Sequence, residues 1–349
     1  MYTRFGDNDI VTRQAQELVT STWTNNLNNL QEAHTSSTQA SFTTSTSSGQ
    51  FFIDVYNKAT SDSTAEVQYS VAYGHKAGSG SPDFTNDTGS FGLGSSRVTY
   101  NQYRQLHYND DTQVFKFGTH PPDDIFVINI NRSRYKQKLT KGSLNLQISG
   151  TTHGLTNKLI HLTDDSVTNP NGVGTSNLGT YYNIVSGSSG TVLAGTAAAT
   201  QVGTSASYGN FYPEAGLIIL NPDAFKKGTA LHPATNPGGP VANTDKNHQK
   251  LYDHISSAGY FIVDSTEEIN SQFYFARVRN DQYNYTNNES FVDNNKNIRF
   301  ETMKLNPKVF ITTVGLYNDS FELMGIAKLS QPVAKDFTKE ALIRIKLDY

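Results

Sequence analysis

The spacing of apolar residues constrains this chain more than any other feature, because it repeats every two positions where it is clearest. Ala65, Val67, Tyr69, Val71 and Tyr73 alternate with Glu66, Gln68, Ser70 and Ala72. Ile343, Ile345, Leu347 and Tyr349 alternate with Leu342, Arg344, Lys346 and Asp348. Successive side chains of a strand point to opposite faces, so this period marks β-structure and not helix. The composition agrees. Ser, Thr and Asn make up 102 of the 349 residues, Tyr and Phe contribute 19 each, and only 17% of residues are charged. Thr, Val, Ile, Tyr and Phe fit a pleated surface, while Gly, Asn, Asp and Ser supply turns. The expected fold class is mainly β: antiparallel sheets with long polar loops, a few short helices, an extended N-terminal arm and a C-terminal three-stranded antiparallel unit.

Several function classes fall away. A net charge of −3 leaves no electrostatic footprint for nucleic acid. The absence of cysteine removes disulfide frameworks, thiolate metal sites and cysteine nucleophiles. The longest apolar stretch, Ala215–Leu220, is far short of the roughly 20 residues of a membrane helix. Met1–Asp9 has no basic segment followed by an apolar one, so a signal peptide is not expected.

Along the chain, residues 1–50 read as an extended arm followed by a low-complexity loop. Eleven of the fifteen residues in Thr35–Gly49 are Ser or Thr, too few apolar groups to offset ordering entropy. Residues 51–300 read as a β-rich body with long loops, with two subdomains suggested near 51–165 and 181–300. Phe51–Tyr56 and Ala65–Tyr73 predict a hairpin, and Asp124–Asn131, Ser143–Ser149, Leu159–Leu162 and Tyr181–Ser186 predict strands. Gly216–Leu220 predicts a buried central strand, followed by a helical turn at Pro222–Phe225 behind an Asn cap. Tyr100–Tyr108 predicts a short helix. Lys246–Ser256 predicts a longer one, with His248, Leu251, Tyr252 and Ile255 on one face. Tyr260–Val263 and Gln272–Val278 predict strands. Residues 301–349 read as three antiparallel strands, Val309–Tyr317, Phe321–Leu329 and Ala341–Tyr349. Phe51–Tyr73, Gly216–Leu220 and Val309–Tyr349 are the expected core. Met1–Gly49, Gly187–Ser207 and Leu231–Asn243 are the expected interface segments.

No specific catalytic or metal motif occurs: there is no phosphate loop, nucleophile elbow, zinc-protease motif or calcium loop. His248 and His254 are six apart on the expected helix, so they face roughly opposite ways. His120 stands before Asp123 and Asp124, but a turn entering a strand explains that run. The adjacent carboxylate pairs Asp110-Asp111, Asp123-Asp124, Asp164-Asp165 and Glu267-Glu268 point to opposite faces if extended, so none alone flanks a sugar as glycosidases require. The Tyr-rich segments Tyr100–Tyr108 and Tyr283–Tyr285 suit a subunit interface, or sugar stacking. The expectation is no catalytic residue, no cofactor and no metal.

Four blocks, Phe51–Ser81, Asp123–Leu139, Tyr208–Phe225 and Val314–Tyr349, together with Arg4–Thr12 (RFGDNDIVT), resemble virion structural proteins of contractile-tailed phages, chiefly those of marine bacteria and cyanobacteria. The resemblance runs over nearly the whole chain. It implies a non-enzymatic tail or baseplate component that is assembled in the host cytoplasm and resides in the virion. It implies as partners other virion proteins and further copies of the chain, with no nucleic acid and no membrane insertion. Competing expectations are a receptor-binding or glycan-binding fibre-tip module, a neck or head-associated structural protein, and a polysaccharide hydrolase.

Overall fold

The computed structural model describes residues 3–30, 33–35, 52–78, 95–149, 159–193, 206–225, 231, 247–286 and 288–348. Most of the Ser/Thr-rich stretch, the glycine-rich stretch over 79–94, and the greater parts of Gly187–Ser207 and Leu231–Asn243 lie outside these residues. The strands are β1 (Ile10–Ser21), β2 (His34–Thr35), β3 (Phe52–Tyr56), β4 (Val67–His75), β5 (Asp124–Ile130), β6 (Lys138–Leu139), β7 (Asn145–Ile148), β8 (Ile160–Asp164), β9 (Gly174–Ser176), β10 (Gly179–Ser188), β11 (Thr191–Val192), β12 (Gly209–Tyr212), β13 (Leu217–Leu220), β14 (Phe261–Ile262), β15 (Asp264–Val278), β16 (Val309–Tyr317), β17 (Leu323–Lys335) and β18 (Ala341–Asp348). The α-helices among the described residues are α1 (Ser95–Tyr108) and α2 (Asn247–Ala258). The chain is therefore mainly β, with antiparallel sheets.

Contacts divide the chain into a larger unit, Leu18–Glu267, and a smaller one formed by Met1–Glu17 with Glu268–Tyr349. Divisions had been expected near residues 50 and 300. The observed ones fall inside β1 and β15, two long strands that carry the chain from one unit to the other.

In the larger unit, ten strands follow the order β14-β7-β8-β10-β12-β13-β5-β4-β3-β2, with β9 and β11 paired to β10. This sheet runs through both segments read from sequence as possible subdomains. It is strongly curled. Tyr69 on β4 lies seven strands from Phe261 on β14, a distance of about 34 Å across a flat sheet. Their ring centroids are 5.3 Å apart. The Trp23 ring lies 4.9 Å from Phe261 and 6.1 Å from Tyr69, and its indole N–H donates to the Phe261 carbonyl at 2.7 Å. The concave face holds Tyr69, Val71, Tyr73, Phe126, Ile128, Ile218 and Leu220, closed over by Leu251 and Ile255 of α2. The helix face read from sequence is thus the face that is covered. Gly259, at φ +61°, ends α2 by donating back to the Ile255 and Ser256 carbonyls.

The convex face is covered as well. Ala72, Ile125, Val127, Leu217 and Ile219, which alternate with the concave residues, pack with Tyr100 of α1 and with Phe115 and Phe117. Both faces of the central strands are dry, and this is why β5 and β13 read as continuous apolar runs. Helix α1 approaches β4 so closely that a Cβ on Gly74 would sit 2.8 Å from the Tyr100 backbone nitrogen.

In the smaller unit, β15 lies between β1 and β18. The β15–β18 pairing runs from Ser271↔Asp348 to Val278↔Ala341. Strands β16 and β17 form a separate two-stranded ribbon. The expected three-stranded C-terminal unit is therefore corrected: β18 pairs with β15, not with β17. Its apolar residues explain the choice. Ile343 and Ile345 sit opposite Ala276 and Tyr274 on β15 and share one cluster with Leu316 of the ribbon, with Val314 and Ala327 packed alongside. The ribbon stacks on this cluster through side chains and does not extend the sheet.

The N-terminal arm is corrected too. Residues 10–21 form a twelve-residue strand, and Trp23 and Leu30, expected at an interface, are buried in the larger unit's core. Strand β1 escapes sequence reading because its described side chains are almost all exposed, so no alternation is required of it. Replacing Trp23 with Ala is expected to cost about 3–5 kcal/mol, and Gly74 with Val about 1–3 kcal/mol or more. Urea unfolding followed by tyrosine fluorescence measures both. A Trp23→Ala loss below about 1 kcal/mol would mean that the sheet closes without it.

Candidate functional site

Two features of the described residues stand apart from ordinary core and surface. The first is the outward side of the β16–β17 ribbon. Val309–Tyr349 was expected to be core, yet Phe310, Leu323, Met324 and Ile326 are 61%, 48%, 71% and 64% exposed. Only Ile311, Val314, Leu316, Ala327 and Leu329 face the smaller unit's cluster. The turn at the tip is built by Asn318, whose Oδ1 accepts from the backbone N–H of Ser320 and Glu322 at 3.0 and 2.8 Å. At the base, Lys335 is fully buried. Its ammonium donates to the Asn280 carbonyl at 3.0 Å and to Asn284 Oδ1 at 2.6 Å, which ties the Asn-rich segment to the end of β17. The ribbon is thus anchored at its base while apolar side chains remain in water on the opposite side. Apolar clusters of this kind mark interaction surfaces.

The second feature is a cluster of titratable groups at one end of β4, β5 and β13 in the larger unit. Asp124 opens β5, Tyr73 and His75 close β4, and Asp223 sits in the 3-10 turn Pro222–Phe225 after β13. The Asn cap predicted for that turn is present, with Asn221 Oδ1 accepting from the Asp223 N–H at 3.2 Å. The Tyr73 hydroxyl donates to Asp124 Oδ2 at 3.2 Å. His120 Nε2 lies 2.7 Å from Asp223 Oδ2, and Lys76 Nζ lies 2.5 Å from Asp123. His120 therefore pairs with a carboxylate about a hundred residues away, not with the adjacent acids of its own sequence run. Burial pushes the Asp124 carboxyl up to about 7; the carboxylates of Asp223 and Asp123 add to this, and the Tyr73 hydroxyl opposes it. Burial holds His75 below the usual histidine range against the pull of Asp123. Chemically, the cluster can keep a proton on Asp124 near neutral pH while the His120–Asp223 pair clamps two loops together. Asp124 itself is buried, while the side chains of His120, Asp223, Lys76 and Asp123 around it are partly exposed.

The other residues singled out from sequence are dispersed. His248 is buried on α2, whereas His254 Nδ1 lies 2.7 Å from the Ser149 carbonyl. No group of three or more His, Asp or Glu residues suited to a metal ion occurs among the described residues. Asp110 organises a turn, its Oδ1 accepting from the N–H and hydroxyl of Thr112 at 2.7 Å each. Asp165 holds Asn183 through two hydrogen bonds of 2.9 and 3.0 Å, and Asp164 accepts from the Gly142 N–H at 2.8 Å. Tyr100 is fully buried and accepts from the Phe115 N–H at 3.2 Å, so Tyr100–Tyr108 turns its anchor inward. His107, on the same helix, meets the Tyr212 hydroxyl at 3.0 Å, and burial pulls its pKa down to about 4. Tyr283 and Tyr285 are exposed, and the Tyr285, Phe291 and Phe300 rings follow one another at 6.0 and 6.3 Å. Of the other expected interface segments, Gly187, Gly190, Ala206, Ser207 and Leu231 are buried in the larger unit. The two strands of the ribbon were read from sequence, but its exposed apolar side and the Asp124–Asp223 coupling were not. Alternation does not say which side of a ribbon meets solvent, and nothing local links residue 124 to residue 223.

The sign of the pH effect follows from the raised Asp124. The native state keeps this proton up to about pH 7, whereas the unfolded chain releases it near the ordinary 3.8. Stability from this group is therefore greatest in acid and falls as pH rises between those values. Asp124→Asn is expected to match the parent near pH 4 and to exceed it by about 1–3 kcal/mol at pH 8. Urea titrations at several pH values measure the difference, and parallel curves would show that Asp124 carries no such coupling.

No helix among the described residues is long and apolar enough to cross a membrane. Comparison with protein-family models, with curated proteins and with solved structures gives no match.

Proposed function

We propose that this chain is a non-enzymatic structural subunit of a tailed-phage virion, placed in the tail or baseplate and acting by subunit–subunit assembly. The observation that carries the reading is the anchored ribbon with exposed Phe310, Leu323, Met324 and Ile326. An apolar surface held on a buried base is suited to docking against another protein, where such side chains act as anchors. The low charge fits contacts built on apolar burial and not on ion pairs. The sequence resemblance to virion structural proteins supplies the setting, with other virion proteins and further copies of the chain as partners.

A second reading, a receptor-binding or glycan-binding module, is favoured by one observation: the row of Tyr285, Phe291 and Phe300, in which Tyr285 and Phe300 are exposed. Aromatic faces of this kind stack on sugars.

Cross-linking mass spectrometry on intact, purified virions tests the assembly reading. The expected result is recovery of the chain in particles, with lysine cross-links to tube, sheath or baseplate proteins. Cross-links to neck or head proteins alone would move it elsewhere in the particle. Absence from particles would overturn the structural role. Host surface polysaccharide tests the second reading: binding that is lost in Tyr285→Ala supports it, and no binding removes it.

A further inference from the structure

Lys335 stands apart among the lysines of this chain. It is fully buried at the end of β17, and every other described lysine is at least partly exposed. A buried ammonium is costly unless an opposite charge pairs with it. No carboxylate pairs with Lys335 among the described residues. Its acceptors are two uncharged amide oxygens, the Asn280 carbonyl at 3.0 Å and Asn284 Oδ1 at 2.6 Å.

The surroundings set this amine against a side-chain amide. Asn284 is itself buried. Its Nδ2 donates to the same Asn280 carbonyl at 2.7 Å. One oxygen therefore holds both the lysine nitrogen and the amide nitrogen, and it turns the oxygen end of the carboxamide toward Lys335. With a C=O bond of about 1.23 Å, Nζ lies within about 3.8 Å of the Asn284 carboxamide carbon. That is close to the roughly 3–3.5 Å from which a held nucleophile attacks. An amine held against a carboxamide displaces ammonia, and an N-terminal glutamine closes on its own side chain by this reaction without a catalytic carboxyl group.

We propose that Lys335 and Asn284 join in an isopeptide bond with release of ammonia. The neutral Lys335 amine adds to the Asn284 carboxamide carbon and forms the Nζ–Cγ bond. A proton passes from Nζ to Nδ2, the Cγ–Nδ2 bond breaks, and its electron pair leaves with ammonia. Counted from the ammonium form of Lys335, the products are one secondary amide and one ammonium ion. Atoms and charge balance, and no co-reactant is needed. The step takes the positive charge out of the buried site and delivers it to water. Burial then keeps water from reversing it. The bond joins positions 51 residues apart and fastens the Asn-rich segment to the end of β17, in a chain with no cysteine for a disulfide. The reaction depends on contacts within one chain, so the inference goes beyond the assembly reading and does not rest on it.

Mass spectrometry of the full-length chain, incubated in mildly alkaline buffer, tests it. The expected intact mass is about 17 Da below that of the sequence, the loss of one ammonia. Trypsin does not cut after a linked lysine, so the digest is expected to contain a branched peptide joining residues 280–296 to residues 329–339. Lys335→Arg and Asn284→Ala are each expected to keep the sequence mass and to give no branched peptide, and circular dichroism checks that both are folded. The parent digest decides the matter even if a variant does not fold. A parent that keeps the sequence mass, with trypsin cutting normally after Lys335, overturns the inference. A loss of about 17 Da that persists in Lys335→Arg with no branched peptide comes from another amide and overturns it as well.

Discussion

The larger unit depends on the contact that brings the two ends of its ten-stranded sheet together. Trp23, Tyr69 and Phe261 meet across the mouth of the curl, with Phe261 in edge contact with both other rings, and the indole N–H satisfies the Phe261 carbonyl. A flat antiparallel sheet of this width would leave one broad apolar face in water. Curling turns that face inward, where Leu251 and Ile255 of the amphipathic helix α2 cover it together with Trp23, Leu30 and Leu231. The second face then needs its own cover, which α1 and the Phe115–Phe117 segment provide. The close approach of α1 is possible only because position 74 lacks a side chain. Curl, inner helix, outer helix and glycine are thus consequences of one requirement: to bury both faces of a wide sheet.

The smaller unit solves a different problem with less material. Its sheet of β1, β15 and β18 shares its apolar side with the β16–β17 ribbon through a small cluster around Leu316, Ile343 and Ile345. That cluster uses up one side of the ribbon and leaves the other in water. The buried Lys335 ammonium, held by the Asn280 carbonyl and the Asn284 amide oxygen, fixes the base of the ribbon where the apolar contacts end. Rigidity at the base with apolar side chains on the free side lowers the entropy cost of docking. The polar cluster around Asp124, by contrast, lies at the end of the larger unit's central strands, where it joins loops. Its value there is in holding segments together, because a buried carboxyl kept protonated can bond its neighbours without carrying an unpaired charge.

Much of the larger unit was legible in its sequence because local pattern and burial coincide there. The β3–β4 hairpin, the buried run at β13, the turn after it with its Asn221 cap, and the covered face of α2 all follow from periods of two or 3.6 and from capping chemistry. The candidate surfaces were less legible. The His120–Asp223 pair joins residues about a hundred positions apart, and Phe310 or Ile326 on an exposed ribbon looks in sequence like any core strand residue. The same period marks a strand whether its apolar side is buried or left in solvent.

The sequence by itself determined the β class, the positions of most described strands and of α1 and α2, and the turns between them, since these depend on steric preferences and hydrogen bonds within a few residues. Only the tertiary structure decided which strands are neighbours. β18 joins β15 and not β17 because Ile343 and Ile345 find Ala276 and Tyr274 there, a match between distant segments that no local pattern encodes. It also decided that Trp23 closes a core, and that the ribbon keeps an apolar face in water. Burial is a property of the assembled chain, and alternation within a segment shows only that two faces differ, not which of them meets solvent.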